Sequence, residues 1–286
     1  MTKKKDHNSP PHIWKVPITA TAIFLITQAL AGLIIGAARF FLAGSKVGNT
    51  ISNTIGNEPE EAAMSLPPEW LAFAILTSGI VSVGLLSWIG LIRWGTALAT
   101  SRINKRTITY SVAGALTGIF AINCGVEALH VPDTMKDTFT DMSGSVFCLL
   151  NIALLGPLTE ELVFREAIQG GMLRRGAKPW ASIITSAIIF GAIHFNWTQS
   201  LAGAGTGLIL AIIYWKTGSI VLPSIIHIAN NSVSVMQMAW YGDNMPTTAE
   251  QMGSAEAAAA AASICLAASV WCMAKLWKLH TDNEKP

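Results

Sequence analysis

Long apolar stretches alternate with short polar ones along the whole chain. The apolar runs lie at about residues 17–38, 69–92, 108–130, 145–173, 179–196, 200–216, 219–240 and 255–274. A helix needs ~20 apolar residues to cross a hydrocarbon core ~30 Å thick, and most of these runs are long enough. The runs at 179–196 and 200–216 are short and joined through residues 195–199, so they are expected to tilt or to stop short of a full crossing. The pattern predicts an all-α fold, a polytopic membrane bundle of about eight helices.

The polar breaks divide the chain into a tail over 1–15, N-terminal membrane helices over 16–142, a core over 143–240, and a last membrane helix with its tail over 241–286. The first apolar run exceeds the ~7–15 residues of a secretory h-region and lacks a small-residue cleavage site, so it reads as a retained span. Basic residues mark alternate breaks: Lys3–Lys5, then Arg93, Arg102, Lys105 and Arg106, then Arg174, Arg175 and Lys178, then Lys216, then Lys275 and Lys278. This bias predicts a multi-pass protein of the cell (plasma or inner) membrane with both termini cytoplasmic, Arg39 and Lys46 in the first outer loop being the exceptions. The loop at 44–68 is the longest outer segment and reads as a cover or a linker.

Composition sharpens this picture. Only 13% of the 286 residues are charged and 51% are hydrophobic, whereas soluble domains carry about 25% charged residues. A net charge of +2 with no basic tract argues against nucleic acid, and leaves the lipid bilayer as the expected surrounding. Cys124, Cys148, Cys265 and Cys272 all lie in apolar runs without metal spacing, and read as small hydrophobes. Gly203 and Gly207 form a small-xxx-small face suited to close helix packing.

Against that background, Glu160, Glu161, Arg165 and Glu166 inside the run at 145–173 stand out. Each costs roughly 2.5–3.5 kcal/mol at the centre of a membrane helix, so each needs a partner or a task. Glu161 and Arg165 are four apart and share a helix face, which pairs them. Glu160 is turned about 100° away, is expected not to use the same partner, and is left as the candidate general base. A buried structural cluster is the alternative. Later runs add His194, four residues after Phe190, and His227, four residues before Asn231. His227 and Asn231 point from one face, either to anchor helices or to donate hydrogen bonds to an oxyanion. His7, His12 and His280 lie in polar tails, and His130 ends a span in a structural position.

Glu160-Glu161-x-x-x-Arg165, Phe190-x-x-x-His194 and His227-x-x-x-Asn231, in that order on successive apolar runs, resemble the three motifs of the CPBP family. That family contains the CAAX prenyl proteases of the Rce1 type and many bacterial Abi-like proteins. The resemblance covers about residues 145–235; Glu166 departs from it, since members often carry a small residue there. It implies a glutamate-dependent intramembrane endopeptidase acting on a peptide or protein substrate. In that reading Glu160 is the base on a water, His194 holds the water, His227 and Asn231 stabilise the oxyanion, and Glu161 and Arg165 support the site. No cofactor is implied, and a zinc site of one Glu and two His ranks below this reading because no HExxH spacing is present. A non-catalytic protein of the same fold, serving bacteriocin immunity or binding, is the alternative. A transporter is weaker, since the chain shows no inverted repeat.

Overall fold

The structure, a computed structural model, describes residues 12–51 and 67–279. The expected basic tail up to residue 11, residues 52–66 of the long loop, and His280 lie outside the described residues. Eleven helices are present among those described. They are α1 Lys15–Ile51, α2 Pro68–Trp88, α3 Trp94–Ala97, α4 Lys105–Ala128 and α5 Lys136–Met142. Then come α6 Val146–Leu173, α7 Pro179–Ala192, α8 Trp197–Thr217, α9 Val221–Tyr241, α10 Thr248–Met252 and α11 Ala255–Lys278. The eight longest coincide with the eight apolar runs. Helix α1 continues past the expected end at 38 to Ile51, taking the first part of the expected loop with it. The short helices α3, α5 and α10 were not expected; each is too brief to show a period.

Local chemistry sets the ends. Pro68 and Pro179 open α2 and α7 at the first turn, where a missing N–H costs nothing. Asn104 and Ser254 accept from the backbone N–H of Thr107 and Ala257, capping α4 and α11. Gly218 closes α8 at φ 66°, a left-handed conformation natural to glycine.

The connections collect at two ends of the bundle. At one end Val16, Leu91 and Met172 share a core cluster. There Ala97 O accepts from Ile220 N at 2.9 Å and Ser219 Oγ at 3.0 Å, and Lys216 Nζ donates to Trp277 O at 3.1 Å. At the other end Asn196 Nδ2 donates to Asp133 Oδ1 at 2.8 Å, and Glu127 accepts from Thr248 N at 2.9 Å. Asn151 Nδ2 donating to Ala72 O at 2.8 Å sets the starts of α2 and α6 side by side. The eight long helices therefore alternate in direction, and the breaks rich in Lys and Arg after α2, α6, α8 and α11 meet at one end. His130 sits at the opposite end with φ 50°, its Nδ1 2.9 Å from Ala128 O.

The protein is a polytopic helical membrane protein. Among the described residues, five segments are long and apolar enough to cross a bilayer alone: Lys15–Ala38, α2, α4, α6 and α11. Helix α7 is apolar but has only 14 residues, about 21 Å at 1.5 Å each, short of a ~30 Å core. Helices α8 and α9 have 21 residues each but are diluted by small and polar residues, among them the buried Gly207, Ser224 and His227. Glycine permits a close crossing of α7 and α8. A Cβ at Gly191 of α7 would lie 2.5 Å from Ser200 O and 2.7 Å from Ala204 Cβ of α8; one at Gly207 would lie 3.0 Å from Phe190. Gly203 and Gly207 thus serve the helix contact read from their spacing.

Candidate active site

Helix α6 builds most of the site, and it is not a plain α-helix. Its winding widens to the i→i+5 register over Asn151–Leu155, returns to α over Gly156–Glu160, and widens again over Glu161–Gly170. Such winding is rare and collects at functional positions. Pro157 accounts for the first change. Gly156 N donates to Asn151 O, so the next carbonyl, Ile152 O, would take the N–H of residue 157, which proline lacks. Asn231 Nδ2 fills that place from α9, donating to Ile152 O at 3.1 Å, while its Oδ1 accepts from Asn230 Nδ2 at 3.1 Å.

At the start of the second wide stretch, two adjacent carboxylates meet one imidazole. Glu161 Oε1 is 2.9 Å from His227 Nδ1, and Glu160 Oε2 is 3.7 Å from His227 Nε2. Among the described residues Glu160 makes no ion pair with Arg165, the partner that spacing assigns to Glu161, and is turned instead to His227. The two carboxylates reach the two nitrogens of a single ring, and the winding changes between them. The carboxylates differ in access: the Glu161 side chain is fully buried, whereas 24% of the Glu160 side chain is exposed.

Arg165 Nε lies 3.1 Å from Glu161 Oε2, the pairing expected from their spacing, with both side chains fully buried. The two groups are close but not aligned as a hydrogen bond, so Glu161 Oε2 and Arg165 Nε find no such protein partner. The guanidinium is held instead through Nη1, which donates to Ser186 Oγ at 3.0 Å; that hydroxyl donates to Phe164 O at 2.9 Å. Its other support is the Phe190 ring, 5.0 Å from Cζ.

Phe190 also orders the histidines. Its ring meets His194 edge-on at 5.2 Å and His227 at 5.7 Å. His194 follows the end of α7, where Nδ1 donates to Phe190 O at 2.8 Å, leaving Nε2 as the acceptor of a neutral ring. Among the described residues no hydrogen bond or ion pair joins His194 to either glutamate, or Asn231 to His227. The structure thus brings together Glu160, Glu161, Arg165 and His227 directly, places His194 beside His227 across Phe190, and sets Asn231 one turn away on the wall of α6.

No group of three or more His, Cys, Asp or Glu side chains among the described residues is arranged to hold a metal ion. Ser186 and the ring of Phe190 are site residues whose roles spacing did not show. Their signal was present, since both lie in the run that precedes His194.

Residues 142–233 match the family described as "Type II CAAX prenyl endopeptidase Rce1-like". A Bacillus subtilis (strain 168) protein named "Putative membrane peptidase YdiL" is 31% identical over 87 residues, which is 30% of this chain and 35% of that protein. The chain therefore matches about a third of that relative's length. No solved structure matches. The stretch 142–233, with all three motifs inside it, is thus similar to the Rce1-like family and supports the resemblance to the CPBP family.

Proposed function

We propose that the chain is a glutamate-dependent intramembrane endopeptidase that hydrolyses a peptide bond of a peptide or protein substrate at the bilayer. The observation that carries this reading is one imidazole set between two neighbouring carboxylates, of which only Glu160 can be reached. Glu161 Oε1, accepting from His227 Nδ1, fixes the Nδ1–H tautomer of that ring. Nε2 then faces Glu160, and a single proton on either group makes that contact attractive. Glu160 takes a proton from a water, and the hydroxide adds to the scissile carbonyl carbon. The proton passes to the leaving amine as the C–N bond breaks, with His227 Nε2 as its station. His194 holds the water through Nε2. His227, when protonated on both nitrogens, and the second N–H of Asn231 are donors to the oxyanion. Glu161 and Arg165 support the site. In this reading the basic end of the bundle, and both termini, face the cytoplasm.

Sequencing new peptide termini in host membranes tests the proposal, with wild type and Glu160→Ala at matched abundance. Termini present with wild type, absent with the variant, and unaffected by a metal chelator are expected. Identical termini in both would refute it. A binding scaffold of the same fold is the second reading, favoured by the bonds that already occupy Asn231. It predicts that Glu160→Ala and His194→Ala leave the host phenotype intact.

A further inference from the structure

The ten-residue wide stretch Glu161–Gly170 needs something to hold it, because the i→i+5 register is seldom sustained. Its polar side chains supply the ties. Arg165 bonds Ser186 of α7, and Gln169 Nε2 donates to Ala211 O of α8 at 2.7 Å. Glu166 makes the most. Oε1 accepts from Arg174 Nη1 at 2.6 Å and from Arg93 N at 3.2 Å, while Oε2 accepts from Tyr214 Oη at 2.6 Å. Arg174 Nη2 in turn donates to Leu91 O and, at 3.2 Å, to the backbone carbonyl of Glu166. The stretch ends at Gly170, where an added Cβ would lie 2.9 Å from Arg174 Nη1 and closer still to Tyr214 Oη.

We infer that Glu166 is a positioning residue. Its three bonds fix the wide winding of Glu161–Gly170, and with it the bearing of Glu160 and Glu161 on His227. Tightening the stretch to i→i+4 would rotate every residue beyond Glu161 relative to Glu160, whose own turn is already α-wound. Glu166 is fully buried and joins α6 to α8 and to the chain after α2, three elements that must stay in register for that rotation to be blocked.

The test uses the full chain in lipid nanodiscs with 15N-labelled histidine. The His227 Nδ1–H signal is assigned by its absence in His227→Gln. Three variants are compared at matched folding, read by thermal unfolding: Glu166→Gln, Glu166→Gln with Arg174→Met, and Tyr214→Phe. The double variant leaves no buried charge unpaired, and Tyr214→Phe removes one bond and no charge. The His227 signal is expected to shift in every folded variant, most for Glu166→Gln. On a substrate cut by wild type, kcat for Glu166→Gln should fall about 10–100-fold with KM within about twofold, as for a small misplacement of reacting groups. A wild-type His227 signal in any folded variant would overturn the inference and leave Glu166 a purely structural anchor. The spectroscopic arm needs no substrate. A shifted signal without any cleavage by wild type would therefore sink the peptidase reading while the positioning role stands.

Discussion

Helix α6 carries two ionic clusters that meet at neighbouring residues, Arg165 and Glu166, and they are built to different ends. In the Glu166 cluster both carboxylate oxygens are fully used, by a guanidinium, a backbone N–H and a phenol, in a fully buried side chain. In the Glu160–Glu161 cluster the buried members are incompletely satisfied: Glu161 Oε2 and Arg165 Nε and Nη2 lack aligned protein partners, and Glu160 is partly open. A saturated cluster resists movement and has no group free to react. One that combines strong fields with an open carboxylate is suited to moving a proton. The contrast explains how a membrane helix tolerates five polar side chains from Glu160 to Gln169. Some hold the backbone so that one can work.

The contrast can be broken from either side. The largest loss of stability is expected for Arg165→Met, which leaves Glu161 buried with His227 as its remaining partner. About 3–5 kcal/mol should be lost in detergent unfolding, and less when Glu161→Gln is added, because the pair is then removed together. Asn231→Ala should cost about 1–3 kcal/mol by leaving Ile152 O unpaired. Adding Pro157→Ala should recover part of that, by supplying the N–H whose absence created the need. Gly191→Ala should cost about 1–3 kcal/mol through overpacking of α7 on α8, measured in the same unfolding assay. The smallest effect lies far from both clusters. Glu250 accepts from the backbone N–H and hydroxyl of Thr247, which holds its carboxyl below the ordinary 4.5. A depressed value means that the capping contribution is complete above the ordinary value and lost as pH falls through the folded one. Amide protection in α10 should therefore decline only below pH 4.5, and Glu250→Gln should remove that dependence.

Much of this was legible in the residues. Apolar run length located the eight long helices, and the Lys and Arg bias anticipated which breaks would gather at one end. The four-residue spacing of Glu161 and Arg165 gave their pair. The widened winding of α6 was not legible, because it depends on ties from α7, α8 and α9 that no local period encodes. Pro157 was the visible hint, and its consequence, the orphaned Ile152 carbonyl, required knowing that Asn231 lies opposite. For the same reason His227 read as one member of a donor pair, whereas the fold sets it between two carboxylates. Glu166 read as a departure from a motif. Its meaning came from Tyr214 and Arg174, of which Tyr214 is 48 residues away in the chain and showed no signal of its own.

The most direct test of the division between the two clusters compares Glu160→Ala with wild type in lipid nanodiscs, reading cleavage of one identified substrate and the unfolding midpoint together. Glu160 is partly exposed, so its loss should leave the midpoint nearly unchanged while cleavage falls by about 10²-fold or more. Cleavage at the wild-type rate by the folded variant would contradict the account, and would move the chemistry away from the carboxylate that faces His227.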